Sequence, residues 1–452
     1  MSEHEREQTP APESQAVQGV PFRSAARFWI KLGFINFGGP TGQIAIMHEE
    51  LVDRLRWIDE DHFLHALNYC VLLPGPEAQQ LAIYVGWLLH KVKGGLVAGI
   101  GFIAPAFFLM LVLSWTYAAH GDVRAVGGVF EGLQAAVVGI ITAALIRIGG
   151  RALRSPFLVV VAAAAFISIF VFHLPFPIMI LGAGLIGAAA GRIRPSMVAT
   201  PAAPPADDPV VTSARPTLRR SLTVLVIGLA AWLGPLIVVS ALPGTPQVIG
   251  QQAAFFSKAA LVTFGGAYAV LAYINQAAVL QYGWLLPGQM IAGLGLAEST
   301  PGPLIMVTEF VGFLGAYQHA GNLSPTAAGV LGAAVTTWAT FAPCFLWIFL
   351  GAPYVERLRG NRTLAASLST ITAAVVGTIA SLAVTFGIHV LFTRVHTVTV
   401  FGGPIPVPTV TSLDWFSLIV AAAGFVALTR FKVNVLWVIA ASAVAGVIRA
   451  LA

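Results

Sequence analysis

Charged residues are scarce in this sequence, at 10% of 452 residues, whereas an average soluble protein has about 25%. Hydrophobic residues make up 57%. This balance excludes a water-soluble globular protein. Apolar runs at 94–119, 221–241 and 364–388 reach the roughly 20 residues that a helix needs to cross a bilayer. The composition therefore predicts a polytopic membrane protein.

Cysteine is nearly absent, because the chain has only Cys70 and Cys344. A disulfide framework is excluded, and both thiols are predicted to be small buried hydrophobic side chains. The chain also lacks zinc-protease, Gly-x-Ser-x-Gly and phosphate-loop motifs. We therefore expect no enzyme, no cofactor and no metal, and we interpret the acidic run 59–62 as a loop that favours the start of a helix.

An internal repeat organises the sequence. The stretch from Phe28 to Gly39 resembles the stretch from Phe255 to Gly266, at a shift of 227 residues. The same shift takes Trp57 to Trp284 and 74–76 to 301–303, both of which read Pro-Gly-Pro. A later stretch, 135–139, recurs at 373–377, at a shift of 238. The chain is therefore a duplicated unit.

The apolar runs predict an all-α fold of about 13 transmembrane helices. Six spans in each copy and one unmatched span between them make the second copy inverted, which is typical of secondary transporters. The predicted segments are a disordered cytoplasmic tail (1–24), a first repeat (25–194), a Pro-rich cytoplasmic linker (195–220), an extra span (221–241) and the inverted second repeat (252–452).

Basic residues predict the orientation. Eighteen lie on the predicted face of the N-terminus, and only Arg54, Arg56, Arg124, Arg394 and Arg449 lie on the other. By the positive-inside rule, the N-terminus is predicted to be cytoplasmic and the C-terminus to lie outside, which is the periplasm if the membrane is a bacterial inner membrane. The basic residues form no compact domain, so the expected surroundings are the lipid bilayer and not a nucleic acid. A homodimer is left open.

Five charged residues lie inside predicted spans, where charge is costly and usually functional. They are Lys31, Glu77, Lys258, Glu298 and Glu309. The two lysines occupy equivalent positions of the repeat, six residues before a Phe-Gly-Gly. One interpretation is that they bind or gate a substrate from opposite sides. The alternative is that each lysine snorkels to a headgroup.

The two Pro-Gly-Pro elements predict helix breaks near the middle of the membrane, since proline removes a backbone donor and clashes with the preceding turn. Each break leaves a half-helix N-terminus that favours an anion. A simple kink is the alternative. The candidate binding residues around the breaks are Asn36, Gly38, Gly39, Gln43, Pro74, Gly75, Pro76, Gln79, Gln80, Gly265, Gly266, Ser299, Thr300, Pro301, Gly302 and Pro303. Glu77 would couple a proton or cap its half-helix.

At these residues the sequence resembles the chromate ion transporter family in its long, two-copy form. The resemblance rests on 37–40, 42–45, 73–82, 86–87, 94–95, Gly101, 104–107, 264–266 and 299–303. It implies efflux of chromate across the bacterial inner membrane and chromate resistance, with sulfate as a look-alike dianion. Two alternatives stay open: a sulfate or other oxyanion transporter of the same fold, and a membrane-embedded chromate reductase. The reductase would require the two cysteines.

Overall fold

The computed structural model describes residues 19–37, 39–121, 123–193, 198, 217–264, 267–351, 362–400 and 403–452. Most of the predicted tail and linker, and the candidate residues Gly38, Gly265 and Gly266, lie outside these ranges. In the described chain, helices dominate, and six are long and apolar enough to cross a membrane. The predicted class, an all-α polytopic membrane protein, is confirmed.

Sixteen α-helices follow one another in the described residues. The first copy has α1 (Phe22–Ile35), α2 (Gly39–His48), α3 (Glu60–Leu72), α4 (Glu77–His120), α5 (Arg124–Ala152), α6 (Pro156–Phe170) and α7 (Phe176–Ile193). The connecting helix is α8 (Leu218–Ala241). The second copy has α9 (Gln247–Val262), α10 (Ala267–Asn275), α11 (Pro287–Ser299), α12 (Val307–Gln318), α13 (Pro325–Gly351), α14 (Arg362–Leu391), α15 (Trp415–Thr429) and α16 (Val435–Leu451).

Shorter elements complete the chain. π-Helical turns extend α2 over Glu49–Arg54 and α10 over Gln276–Gln281, and 3₁₀ turns occur at Leu304–Met306 and Val410–Ser412. Strands β1 (Val395–Val400) and β2 (Gly403–Pro408) pair antiparallel. This β-hairpin was not predicted, although the alternating valines and threonines of β1 suit a strand.

Helix α4 is two helices joined by a sharp turn. His90 and Lys91 have non-helical backbone angles, and Lys91 has φ +53°. On either side of the turn, the backbones of Gly86 and Gly94 approach so closely that a Cβ on Gly94 would lie 2.0 Å from the Gly86 carbonyl oxygen. The halves, α4a (77–89) and α4b (92–120), are therefore antiparallel, and the small residues allow the close contact.

Four interrupted stretches turn back instead of crossing. Tyr69 in α3 and Tyr84 in α4a, on either side of Pro-Gly-Pro, place their rings 5.5 Å apart. Trp57, which follows α2, contacts Phe28 in the middle of α1. The pairs α1–α2, α3–α4a, α9–α10 and α11–α12 are thus helical hairpins. Sequence analysis predicted that each of these stretches crosses the membrane as a broken helix. The structure differs, because hydropathy depends on the number of apolar residues in a stretch and not on the direction in which the chain runs after the break.

The hairpins enter the bundle from two ends. We define the basic end by Lys91, Arg147 and Lys432, and the opposite end by His173 and the β-hairpin. Helix α13 runs between the ends: Gly332 contacts Gly312 of α12, Cys344 lies beside Gly75, and the Trp347 carbonyl accepts a hydrogen bond from Tyr69 of α3. The first-copy hairpins therefore lie toward the basic end and the second-copy hairpins toward the opposite end.

The repeat is visible in matched contacts. Phe28 contacts Trp57 at 5.2 Å between ring centroids, and their equivalents Phe255 and Trp284 do so at 5.8 Å. Helices α6 and α15 are both 15 residues long. Three residues after them, His173 and Lys432 both adopt left-handed φ values, +51° and +53°. The two copies that the sequence predicts therefore share the same internal contacts.

The two copies exchange their last helices. In the first copy α6 and α7 pack on α14, and in the second α15 and α16 pack on α5. Gly377 of α14 meets the backbone of Ala162, and its equivalent Gly139 of α5 meets the backbone of Ala421, which is 259 residues after Ala162. Each close approach needs the missing Cβ. The copies are consequently intertwined.

Candidate functional site

The tips of the four hairpins meet in the interior. The Gly75 N–H of the first Pro-Gly-Pro donates a 2.8 Å hydrogen bond to the carbonyl of Thr263. The Gly302 N–H of the second donates one of the same length to the carbonyl of Asn36. Since 75 and 302, and 36 and 263, are each 227 apart, the two bonds are related by the repeat. Each copy thus contacts the break of the other.

The chain reverses at these tips for a local reason. Gly75 and Gly302 have φ values of +122° and +116°, a region that only glycine adopts easily. A Cβ on Gly302 would lie 2.4 Å from the Cβ of Ala106, and one on Gly75 would lie 2.9 Å from the Cys344 sulfur. The flanking prolines remove further backbone donors. The predicted breaks at Pro74, Pro76, Pro301 and Pro303 are confirmed.

Half-helices begin at the tips. Helix α4a starts at Glu77, directly after the first Pro-Gly-Pro, and the 3₁₀ turn Leu304–Met306 leads into α12 after the second. Helix α2 starts at Gly39. Helix N-termini present unpaired N–H groups and a partial positive charge. Their convergence in an apolar interior makes the tip region attractive to an anion.

Buried amide side chains surround the first-copy tips. The Gln43 Nε2 donates to the carbonyl of Gly302 in the other copy, and the Gln80 Nε2 donates to the Pro74 carbonyl at 2.7 Å. Asn36 and Gln79 are fully buried, and both amide atoms of each have no hydrogen-bond partner among the described residues. Unpaired buried polar atoms are costly, so such atoms mark a place where a polar ligand or water fits.

The second copy offers less polarity at its tips. The Ser299 and Thr300 hydroxyls, expected to donate to a substrate, donate instead to the carbonyls of Leu296 and Ala297 in their own helix. The equivalents of Gln43 and Gln80 are Val270 and Val307. The two tips are therefore alike in backbone and unlike in side chains.

The paired lysines do not reach the tips. The side chains of Lys31 and Lys258 are exposed on the surface of the bundle, whereas Asn36 and Thr263 at the tips are buried. The snorkelling interpretation fits this placement. The structure does not bring the lysines together with the candidate residues, because the face of α1 that carries Lys31 also carries the exposed Ile30 and Phe34.

The three glutamates lie in different surroundings. Glu77 is half-buried as the first residue of α4a. Glu309 is fully buried and accepts a hydrogen bond from the Ser114 hydroxyl at 3.3 Å. Glu298 is 7% exposed and accepts a hydrogen bond from the Tyr268 hydroxyl.

A cavity of about 790 Å³ connects the first-copy tip to the basic end. Phe37, Gly39 and Pro40 line it at the tip, and Tyr268 and Glu298 line one wall. The remaining lining residues include Ala143, Ala144, Arg147, Leu428, Thr429 and Lys432. Sequence analysis missed Arg147 and Tyr268 as site residues. Arg147 was counted only as a topology signal, because it lies near the end of its apolar run.

A second cavity, of about 220 Å³, lies at the opposite end under the β-hairpin. Its lining includes Ser381, Leu382, Thr385, Ile169, Phe170 and His173. By the shifts of 238 and 259 residues, these six positions are equivalent to Ala143, Ala144, Arg147, Leu428, Thr429 and Lys432 of the basic-end cavity. The two cavities are counterparts in the repeat.

The described residues offer little evidence for a redox or metal site. Cys70 and Cys344 are free and buried, as predicted. The Asp59 carboxylate accepts a hydrogen bond from the His62 N–H at 2.8 Å and so caps α3. No group of three or more metal-ligating side chains is found in the part of the chain that the structure describes.

Two repeated units whose half-helices meet inside the bundle, beside buried amide side chains and a cavity, are an arrangement typical of membrane transporters. Comparison with known families gives the particular one. Residues 24–188 and 250–447 match the chromate transporter family, so the chain belongs to it.

Individual proteins that are similar to this chain are also named for chromate transport. The chain is 32% identical to a chromate transport protein of Pseudomonas aeruginosa over 93% of this chain and 90% of the relative. It is 29% identical to a probable chromate transport protein of Synechococcus elongatus, over 81% and 84%. It is 28% identical to a chromate transport protein of Cupriavidus metallidurans, over 79% and 80%. No solved structure matches the chain.

Proposed function

We propose that this protein exports chromate from the cytoplasm across the bacterial inner membrane by alternating access and thereby confers chromate resistance. The observation that carries the proposal is the reciprocal hydrogen bonding of the two Pro-Gly-Pro tips, beside half-helix N-termini and buried unpaired amides. The names of the relatives supply the substrate. Chromate is a tetrahedral dianion like sulfate, so both fit such a site.

The basic end is the cytoplasmic face in this proposal. Because α1 and α2 form a hairpin whose arms have similar lengths, 14 residues in α1 and 10 plus 6 from Gly39 to Arg54, Arg54 lies toward the same end as the start of α1. Arg54 and Arg56 are thus assigned to the basic end and not to the opposite end, which increases the excess of basic residues on the face of the N-terminus. The positive-inside rule then places the N-terminus in the cytoplasm and the C-terminus in the periplasm.

The transport cycle follows from the two cavities. The larger cavity opens toward the cytoplasm and takes up the dianion beside the first-copy tip. The two copies then rock about the reciprocal tip contact, which closes this cavity and opens its counterpart below the β-hairpin. The membrane potential, negative inside, favours expulsion of the anion by about 2.3 kcal/mol per charge per 100 mV.

The test is the accumulation of radiolabelled chromate in cells that express the protein, with and without excess sulfate. We expect lower accumulation than in cells with the empty vector, and recovery of accumulation in Gln43→Val, which puts the second-copy residue into the first copy. Val270→Ala, at the equivalent position, is the matched control. Unchanged or raised accumulation of chromate in cells with the wild-type protein would contradict the export proposal.

The alternatives have distinct outcomes in the same assay. A transporter whose own substrate is sulfate would lose chromate export at sulfate concentrations below that of chromate, whereas a chromate exporter would lose it only under a large excess of sulfate. A chromate reductase would lower chromate without moving it, and would depend on Cys70 and Cys344, whereas we expect Cys→Ser variants at both positions to retain export. A homodimer stays a prediction that light scattering on the purified protein measures.

A further inference from the structure

One cluster of polar residues in the basic-end cavity has no role in the transport cycle as described. Arg147 projects from α5 into the cavity, and Glu298 of α11 and Tyr268 of α10 line it from the other copy. Arg147 is exposed to the cavity, whereas Glu298 and Tyr268 are buried in its wall, 7% exposed each. All three lie in the same cavity as Phe37 and Gly39 of the tip.

The arginine and the glutamate face each other without contact. Arg147 interacts electrostatically with Glu298, but no salt bridge joins the two side chains among the described residues. The only hydrogen bond described for the Glu298 carboxylate comes from the Tyr268 hydroxyl. An arginine that keeps a buried carboxylate at a distance leaves its planar guanidinium free for an oxyanion.

We propose that Arg147 is the cation that receives the substrate dianion in the basic-end cavity, and that Glu298, its counter-ion in the absence of substrate, takes up a proton when the dianion binds. This rests on the proposed function, which supplies an oxyanion as substrate. A dianion beside the Arg147 guanidinium would repel the charged Glu298 carboxylate, and because Glu298 is buried in the cavity wall, water screens this repulsion only weakly. Protonation of Glu298 removes the repulsion.

Few charged or titratable side chains lie near Glu298 among the described residues. Arg147 faces it from α5, Tyr268 from α10, and Lys432 lines the same cavity from the turn between α15 and α16. The other described lining residues, from α1, α2, α15 and α16, carry no charge. On α12, which follows the break, Glu309 is held by Ser114 of α4b. The charge of Arg147 is therefore the main partner of either Glu298 or an incoming anion.

The Arg147 and Glu298 pair occurs at one end of the bundle only, because the equivalent positions of the repeat carry other residues. Thr385 stands at the position of Arg147 in the repeat, and Val71 stands at the position of Glu298. The counterpart cavity thus has neither member of the pair. One dianion and one proton per chain follow from the arrangement.

The test measures binding and not transport. Sodium sulfate, a dianion that oxidises nothing, is titrated into the purified full-length protein by calorimetry at low ionic strength. We expect Arg147→Gln to weaken binding about tenfold or more, Arg147→Lys to weaken it less, and Glu298→Gln to tighten it. The matched control is Arg151→Gln, one turn further along α5 and outside the cavity lining, which should leave affinity unchanged.

Proton uptake gives a second readout. Titrations in buffers of different ionisation enthalpy should show about one proton taken up per anion in the wild type and none in Glu298→Gln. If Arg147→Gln does not fold, the neutral pair Arg147→Gln with Glu298→Gln replaces it, with the expectation of weak, proton-independent binding.

Three results would overturn the inference: no dianion binding by the wild type, wild-type affinity in the Arg147 variants, or proton uptake that survives in Glu298→Gln. The proposed function can fail separately. If the binding pattern holds but cells export no chromate, export is wrong and the anion site stands. If cells export chromate and Arg147→Gln binds sulfate normally, the anion site is wrong and export stands.

Discussion

The basic-end cavity and its counterpart at the opposite end are built from equivalent positions and carry different chemistry. Arg147 and Lys432 at one end correspond to Thr385 and His173 at the other. The backbone of Lys432 and His173 is the same, since both are left-handed. Duplication therefore preserved the positions that line the two cavities, although their volumes differ, and substitution gave one of them fixed positive charge. A cavity lined by positive charge raises the local concentration of anions, so the basic-end cavity attracts an anion more strongly than its counterpart does.

The largest effect is expected where the two copies are most alike. Gly302→Ala and Gly75→Ala should each reduce export by more than about tenfold, since a Cβ meets another atom at less than 3 Å and the φ is unfavourable. Chromate accumulation, normalised to protein in the membrane, measures this. Gly150→Ala, where a Cβ has no neighbour within 4 Å, is the control. Tolerance at Gly302 alone would show that the copies are not equivalent.

The next effect addresses the charge difference directly. Thr385→Arg places in the opposite-end cavity the residue that its counterpart has, so the dianion should be retained there and export should slow several-fold. Export from preloaded cells measures the rate. Thr385→Gln, of similar length without charge, controls for bulk. A faster export rate in Thr385→Arg would show that the charge difference between the cavities does not set release.

The exposed lysines should matter little. We expect Lys31→Gln and Lys258→Gln to change export less than about twofold, because both side chains lie on the outer surface of the bundle. The same accumulation assay measures each variant and the pair together. A loss as large as that of Gln43→Val would return the lysines to the binding site.

The smallest effect concerns an ion pair at the opposite end, outside the transport path. Arg449 donates to the Asp414 carboxylate at 2.8 Å, and Ser417 also donates to it. Burial acts to raise the pKa of Asp414, but these hydrogen bonds outweigh it, so the pKa lies below its ordinary value. The stabilisation is present above the ordinary aspartate pKa and is lost as pH falls through the lowered one.

Asp414→Asn should therefore lower the melting temperature of the purified protein by about 1–2 °C at pH 7 and by less near pH 3. Thermal unfolding in detergent at the two pH values measures this. Ser417→Ala is the comparison that removes one hydrogen bond and keeps the ion pair. An equal decrease at both pH values would assign the effect to packing.

The sequence predicts much of the tip region because its signals are local. Proline and glycine at 74–76 and 301–303 act on their own backbone, and the shift of 227 residues is visible without a structure. The direction of the half-helices is not local. It depends on contacts such as Tyr69 with Tyr84, whose partners lie on separate helices, so hydropathy could not distinguish a hairpin from a broken span.

Arg147 shows the same limit for the site. Its chemistry depends on Glu298, which is 151 residues away and in the other copy, and no periodicity links the two. The prediction that the two lysines bind substrate rested on their equivalence in the repeat. Their equivalence in the repeat is real, but a repeat also preserves residues that face outward, and only the fold distinguishes the two cases.

The exchange of helix pairs between the copies has a consequence for biosynthesis. The face of α5 that α15 and α16 cover remains open to lipid until the ribosome has completed the last helix. The first half of the chain can therefore insert but cannot reach its final packing alone. Two separately synthesised halves, divided between α7 and α8, would have to meet in one membrane before either became resistant to proteolysis.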